Sequence, residues 1–314
     1  MKIVNDFSGD YTLGLTPYIN KSFENINDEE DLIIFNGFHT LENRPLLNRY
    51  KDAKRRCLIN VWSPCEFAQP FNMEAYRYFT EVYCVCKYTC KIANKYFQEE
   101  KFIYFPFAFT NYSSTHNDTK EHDVCYFGGI HVPEQDKALF ALKKFNHQFF
   151  SFGPHGSHAT SANKIISTED KLKAVSKCKI SLCYNWISVE NKHKKNLSAN
   201  GFNHPAFYGS HGSHIAPQFK VRVHESASCG SLILCRKDEW KLIEDFYTEN
   251  KEFVYFENED ELPEKIKDIT ENWDKYKTIA QNGYKRSQQY TIENFYPFMK
   301  TKDKSLITWE CKDV

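Results

Sequence analysis

Apolar and polar positions along the 314 residues fall into short β-type runs separated by longer polar segments. In the first part of the chain, runs at 1–5 (MKIVN), 31–37 (DLIIFNG), 56–62 (RCLINVW), 81–86 (EVYCVC) and 101–107 (KFIYFPF) predict five strands. The segment from Thr89 to Glu99 has the length of a helix between two of them. Residues 110–123 (TNYSSTHNDTKEHD) are polar, rich in turn formers and aperiodic, which marks a linker. The pattern then restarts. Strands are predicted at 123–129, 147–153, 179–185, 231–235 and 252–256, and helices at 134–145, 168–177, 219–229, 238–248 and 259–271. One or two further helices fit the stretch from Trp273 to Tyr296. Apolar strands alternating with helix-length segments imply α/β domains with mainly parallel sheets. Two Rossmann-like domains facing across a cleft are the expectation, with the cleft as the default ligand site.

Length and composition narrow this picture. A chain of 314 residues has room for two domains, each with its own core. Lys plus Arg and Asp plus Glu both number 41, so the formal net charge is zero. Proteins that grip long nucleic acid usually show a basic excess, because phosphate neutralisation drives that binding, so a nucleic-acid partner is not expected. The eleven cysteines are an odd number, and no secretory signal opens the sequence. Reduced thiols in a cytoplasmic compartment are therefore expected. No apolar run approaches the ~20 residues that a membrane helix needs, so no membrane span is expected.

Two features that suggest metal do not carry it. Cys84, Cys86 and Cys90 cluster, but no second cluster supplies the other half of a zinc site, and an apolar strand edge explains them. The segments 153–162 (GPHGSHATSA) and 208–216 (YGSHGSHIA) contain the triplet Gly-Ser-His three times. They suit either a loop closing over a ligand or a polar surface loop. No carboxylate or cysteine accompanies these histidines, so no metal site and no cofactor are predicted.

The chemistry concentrates in 217–235 (PQFKVRVHESASCGSLILC). On a helix over 219–229, Arg222 and Glu225 are three apart and share a face. Lys220 lies near the helix start, where unpaired backbone N–H groups favour an anion. A cation and free N–H groups hold a diphosphate, while a carboxylate a turn deeper accepts two hydrogen bonds from a ribose diol. The plain alternative is an ion pair on a solvated helix. Ser226, Ala227, Ser228, Cys229 and Gly230 favour the ligand reading, because small residues leave room for close approach.

That stretch, followed by KEFVYFENEDELPEKIKDI and by WDKYKTIAQNGYKRSQQYTIENF, resembles the C-terminal domain of GT-B glycosyltransferases. The similarity lies nearest the spore-coat-type group and the phage DNA β-glucosyltransferase-like enzymes. It covers about 165 to 296, and the N-terminal half only through its strand order. The resemblance implies an acceptor-side domain over 1–115, a nucleotide-sugar-binding domain over 116–285, and a helical tail over 286–314 that packs back on the first domain. It implies that Glu225 binds the ribose hydroxyls and Arg222 the diphosphate, with Lys220 as a further phosphate candidate. DVCYFGGIH (123–131) matches the glycine-containing first loop of the nucleotide domain. Gly128, Gly129 and His131 thus join the donor-binding set. Many retaining relatives place a second acid eight residues before the ribose-binding glutamate. Pro217 stands there, which points to inversion.

Inverting transfer needs a general base on the acceptor hydroxyl. Glu66, in NVWSPCEFAQPF, follows a predicted strand and is flanked by prolines and aromatics that would desolvate it. Phage glucosyltransferase-like enzymes carry their base in a comparable loop, which favours Glu66. Asp10, in FSGDYTLG, is the alternative. Tyr11, His39 and Trp62 could line the acceptor side. The sequence therefore reads as a metal-independent glycosyltransferase using a nucleotide-sugar donor, most simply a uridine diphosphate sugar, and a glycan or other hydroxyl acceptor. Its rivals are a fucosyltransferase-like enzyme using guanosine diphosphate-fucose and a non-catalytic sugar-nucleotide- or glycan-binding module.

Overall fold

The structure is a computed structural model that describes residues 2–5, 31–36, 44–61, 70–84, 86–105, 116–130, 132–150, 168–188, 215–290, 295–303 and 305. By compactness the chain divides into two units. The first comprises residues 1–107, 186–219 and 311–314, and the second residues 108–185 and 220–310. The sequence expectation differs in two places. Residues 186–219 group with the first unit, and 286–310 group with the second rather than forming a tail on the first. The physical reason for the latter is a buried anchor. Tyr290 donates its hydroxyl to the Phe246 carbonyl at 2.5 Å, and Arg286 donates to the same oxygen at 3.0 Å.

The first unit is built on five parallel strands in sequential order: β1 (Lys2–Asn5), β2 (Leu32–Asn36), β3 (Arg55–Val61), β4 (Glu81–Cys84) and β5 (Phe102–Tyr104). Leu32, Ile34, Cys57, Leu58, Val82 and Cys84 are buried, as expected of parallel strands whose faces are both covered. Among the described residues, three helices belong to this unit: α1 (Arg44–Arg49), α2 (Pro70–Ala75) and α3 (Lys87–Phe97). The first two carried no clear period in the sequence. A short antiparallel pair, β9 (Trp186–Ser188) with β10 (Ile215–Pro217), was also not expected.

In the second unit the parallel sheet has the order β12-β11-β8-β6-β7. Its strands are β6 (His122–Phe127), β7 (His147–Phe150), β8 (Cys178–Cys183), β11 (Leu232–Arg236) and β12 (Val254–Phe256). The order reverses at β6. The chain leaves to β7 on one side and returns to β8 on the other. Six helices belong here among the described residues: α4 (Pro133–Leu142), α5 (Thr168–Ser176), α6 (Arg222–Ser228), α7 (Leu262–Glu271), α8 (Trp273–Ser287) and α9 (Phe295–Thr301).

The helix predicted at 238–248 is absent. Asp238 accepts the backbone N–H groups of Trp240 at 2.9 Å and Lys241 at 2.8 Å, as a residue capping a helix start would. Lys241 then takes a left-handed conformation at φ 48°, and only a 3₁₀ turn, Leu242–Asp245, remains. The helix predicted over 219–229 is shorter and is almost wholly buried, from Val223 to Ser228. It is not a solvated surface helix.

Candidate active site

The site grows from the end of β6. Tyr126 is buried there, and its hydroxyl donates to the Gly129 carbonyl at 2.8 Å, which closes the turn that follows the strand. Gly128 within that turn has φ 134°, a conformation that side chains disfavour. It has a second reason to be glycine. A Cβ at this position would lie 1.7 Å from Nη2 of Arg222. The guanidinium occupies the space that a side chain would take. Its Cζ also sits 4.6 Å from the Tyr126 ring centroid, a cation–π arrangement that fixes the group over an aromatic face. Burial raises the Tyr126 pKa, while the Arg222 charge opposes the rise. Arg222, Gly128 and Gly129, three of the residues singled out from sequence, therefore converge at the carboxyl end of one strand.

One helical turn after Arg222, Glu225 is 4% exposed. Its Oε1 lies 2.5 Å from Nζ of Lys171, which projects from α5 and is itself 7% exposed. Sequence reasoning did not pair these two residues. A simple Arg222–Glu225 pair along the helix is replaced by two separate engagements: Arg222 with the glycine turn, and Glu225 with a lysine 54 residues earlier. Lys171 shares the buried face of α5 with Leu172 and Val175. The available signal was its spacing to those apolar neighbours.

The small residues after Glu225 play a different part from the one expected. Ser226 Oγ bonds Ser181 Oγ on β8 at 2.6 Å. Ser228 donates to the Glu225 carbonyl at 3.0 Å, and Ser231 donates to the Val175 and Cys178 carbonyls, each at 2.8 Å. All are buried. The room they leave is filled by α5 and β8, so they seat the helix closely on the sheet and do not admit a ligand. Gly230, at φ 70°, is likewise crowded by the protein, since a Cβ there would meet the His116 ring at 2.5 Å.

Lys220 lies just before α6, half-buried, with its backbone N–H donating to Asn185 Oδ1 at 3.1 Å. His224, inside α6, is fully buried with Nδ1 2.9 Å from the Tyr247 hydroxyl, and desolvation pushes its pKa down to about 3. It stays neutral and belongs to the core. Beyond β11, the carboxyl of Asp238 is 4% exposed, and burial lifts its pKa to about 7. Sequence reasoning missed Lys171, Tyr126, Asn185 and Asp238.

Glu66, Asp10 and His131 lie outside the described residues, as do Tyr11, His39, Trp62, the whole of 153–162 and residues 208–214. Cys84, Cys86 and Cys90 are buried free thiols, and burial raises the Cys86 pKa. Among the described residues, no three His, Cys, Asp or Glu side chains gather as a metal site. No helix among them is long and apolar enough to cross a membrane.

Comparisons with known proteins bear on the fold and the family. In the crystal structure of TarM, a protein from S. aureus, the superposition has a TM-score of 0.56 at 12% identity. It covers 94% of this chain and 58% of TarM, so the chain spans less than two thirds of that protein. HepE from Anabaena, solved in complex with UDP-glucose, gives a TM-score of 0.55 at 13% identity, over 87% of this chain and 79% of HepE. The sucrose-phosphate synthase of Thermosynechococcus elongatus gives 0.55 at 9% identity, over 88% and 73%. At such identities the likeness shows the fold, a GT-B architecture made of two Rossmann-like units. No curated protein matches the sequence. A family model described as glycosyl transferase-like matches residues 137–296, a segment that contains Lys171, Arg222 and Glu225. That segment is just over half of the chain, and the chain belongs to the glycosyl transferase-like family.

Proposed function

We propose that this chain transfers a sugar from a uridine diphosphate sugar to a hydroxyl of a glycan or other acceptor, with inversion at the anomeric carbon. The observation that carries the reading is the position of Arg222. It lies on a glycine turn at the carboxyl end of β6, where the strand order of the second sheet reverses. Open parallel sheets take their ligands at that end of the strands and at that switch point. A fixed guanidinium there matches a diphosphate by charge and by its planar fork of donors. In the transfer it would stabilise the negative charge that builds on the leaving diphosphate, a task that needs no metal. Gly128 makes room for that guanidinium, Gly129 lets the donor approach the backbone, and Glu225, a turn deeper, accepts from the ribose hydroxyls. The UDP and UDP-glucose held by HepE support a uridine donor.

The general base falls to Glu66, with Asp10 as the alternative. Inversion is favoured because Pro217, and no acid, stands eight residues before Glu225. A direct test is release of nucleoside diphosphate from UDP-glucose, UDP-N-acetylglucosamine and GDP-fucose, measured for the wild type and Arg222→Ala. Turnover of a uridine donor, reduced at least tenfold in Arg222→Ala, is expected. Turnover of GDP-fucose alone, or of no donor at all, would overturn the reading.

A further inference from the structure

We infer that Lys171 is a positioning residue that aims the Glu225 carboxylate, and that the pair sets the site's preference for a ribonucleoside over a 2′-deoxyribonucleoside diphosphate. This rests on the reading of Glu225 as the ribose ligand.

The argument starts from where Lys171 lies. Helix α5 presents Leu172 and Val175 to the core, and both are buried beside Cys125, Phe127, Cys178 and Cys229. Lys171 falls on that side of the helix and is buried too, whereas Lys173, two residues on, is exposed and pairs with Glu169 within its own helix. A lysine at a core-facing helix position is costly to desolvate, and a buried ion pair is seldom more stable than two apolar side chains of similar volume. Stability alone therefore does not account for placing an ammonium and a carboxylate together here.

What the pair does supply is direction. The Glu225 side chain has three torsions, and without a partner its carboxylate would sample several rotamers or turn toward Arg222, three residues away. The bond from Lys171 Nζ to Oε1 at 2.5 Å holds one oxygen in place and narrows the orientations open to the group. The backbone of Glu225 is fixed as well. Its N–H donates to the Val221 carbonyl at 3.0 Å, and its own carbonyl accepts from Cys229 N–H at 3.1 Å and Ser228 Oγ at 3.0 Å. A carboxylate held in this way is preorganised to accept from hydroxyls of a ligand, and an acceptor that need not reorganise discriminates most sharply against a ligand lacking a donor. Arg222 is engaged elsewhere, on Tyr126 and Gly128, so recognition of diphosphate and of ribose is divided between separate, independently fixed groups.

The experiment is calorimetric titration of UDP and 2′-deoxy-UDP into the wild type, Lys171→Met, Lys171→Arg, Glu225→Gln and the double variant Lys171→Met/Glu225→Gln. The double variant leaves no unpaired buried charge, which keeps a folded protein available if Lys171→Met does not fold. In the wild type, loss of the 2′-hydroxyl should weaken binding roughly ten- to hundredfold, the usual range for a hydrogen bond to a charged group. Lys171→Met should shrink that ratio to within about threefold, Lys171→Arg should keep most of it, and the double variant should match Glu225→Gln. An unchanged ratio in Lys171→Met, or equal weakening of both ligands, would mean that Lys171 only supports the fold. A ratio that survives in Glu225→Gln and in the double variant would instead overturn the ribose assignment itself, which is a different failure.

Discussion

Two buried carboxylates of the second unit, Glu225 and Asp238, are each 4% exposed and are handled in opposite ways. Glu225 has an ammonium at 2.5 Å. Asp238 has two backbone N–H groups on Oδ1, while its Oδ2 has no hydrogen-bond partner, and burial lifts its pKa to about 7. Burying charge is expensive, and a protein meets the cost either with a counter-charge or by letting the group take a proton. The contrast separates a carboxylate held by a counter-charge from one that shapes a turn. Depth of burial alone does not distinguish them; the partner does.

The largest expected effect tests the paired carboxylate. Lys171→Met should lower the stability by about 3–5 kcal/mol, because the buried Glu225 would lose the Lys171 ammonium, while Lys171→Met/Glu225→Gln should lie much nearer the wild type. Urea midpoints at pH 7 read this directly. Equal losses in the single and double variants would show that the charges are not coupled. The control is the exposed pair on the same helix. Lys173→Ala should change stability by no more than about 0.5 kcal/mol, since solvent screens it from Glu169.

The unpaired carboxylate carries a pH signature. The Asp238 pKa is raised on folding, from an ordinary value of 3.8 to about 7, so the folded protein holds more protons than the unfolded chain between those values. Its contribution to stability is present at low pH and is lost as pH rises toward 7, by up to roughly 4 kcal/mol. Asp238→Asn keeps an oxygen for Trp240 and Lys241 but does not titrate. The wild type should therefore lose ground to this variant between pH 5 and pH 8. His224 works in the other direction. Its pKa is depressed to about 3, so its contribution is present above about 6.5 and is lost as pH falls. Comparing each pH with the variant, and not the wild type alone, separates the two. A difference that stays constant with pH would contradict the Asp238 assignment.

A smaller effect concerns the glycine turn. Gly128→Ala forces a side chain to φ 134° and into the Arg222 guanidinium. The backbone strain should cost about 1–3 kcal/mol. The displaced guanidinium should also weaken UDP binding by more than the stability loss alone would suggest, since the fold can shift the arginine tip but the donor site cannot. Calorimetry at a temperature well below the melting point distinguishes the two.

The same residues show what a sequence can reveal. The strands were legible because parallel strands covered on both faces read as continuous apolar runs, as SLILC and KISLCYN do. Arg222, Glu225 and Gly128 were legible because a helix turn and a glycine turn are local patterns. Lys171 was not, because its burial depends on packing against Glu225 across 54 residues, and its letters fit an ordinary amphipathic surface. The helix expected over 238–248 is cut short where Lys241 takes a left-handed conformation at φ 48°, so that only a 3₁₀ turn follows, and nothing in the local letters marks that break. Ser226 and Ser228 were read as space for a ligand, whereas Ser226 bonds β8 and Ser228 bonds its own helix, and Ser231 just beyond them holds the next strand to α5. Small residues announce close approach, but not of what.

The most direct measurement is the affinity of UDP for the Lys171→Met/Glu225→Gln variant against the wild type, by calorimetry at one temperature. At least tenfold weaker binding, with melting temperatures within a few degrees of each other, is the expected result. Unchanged affinity in a folded variant would contradict the placement of the nucleotide beside Arg222 and Glu225.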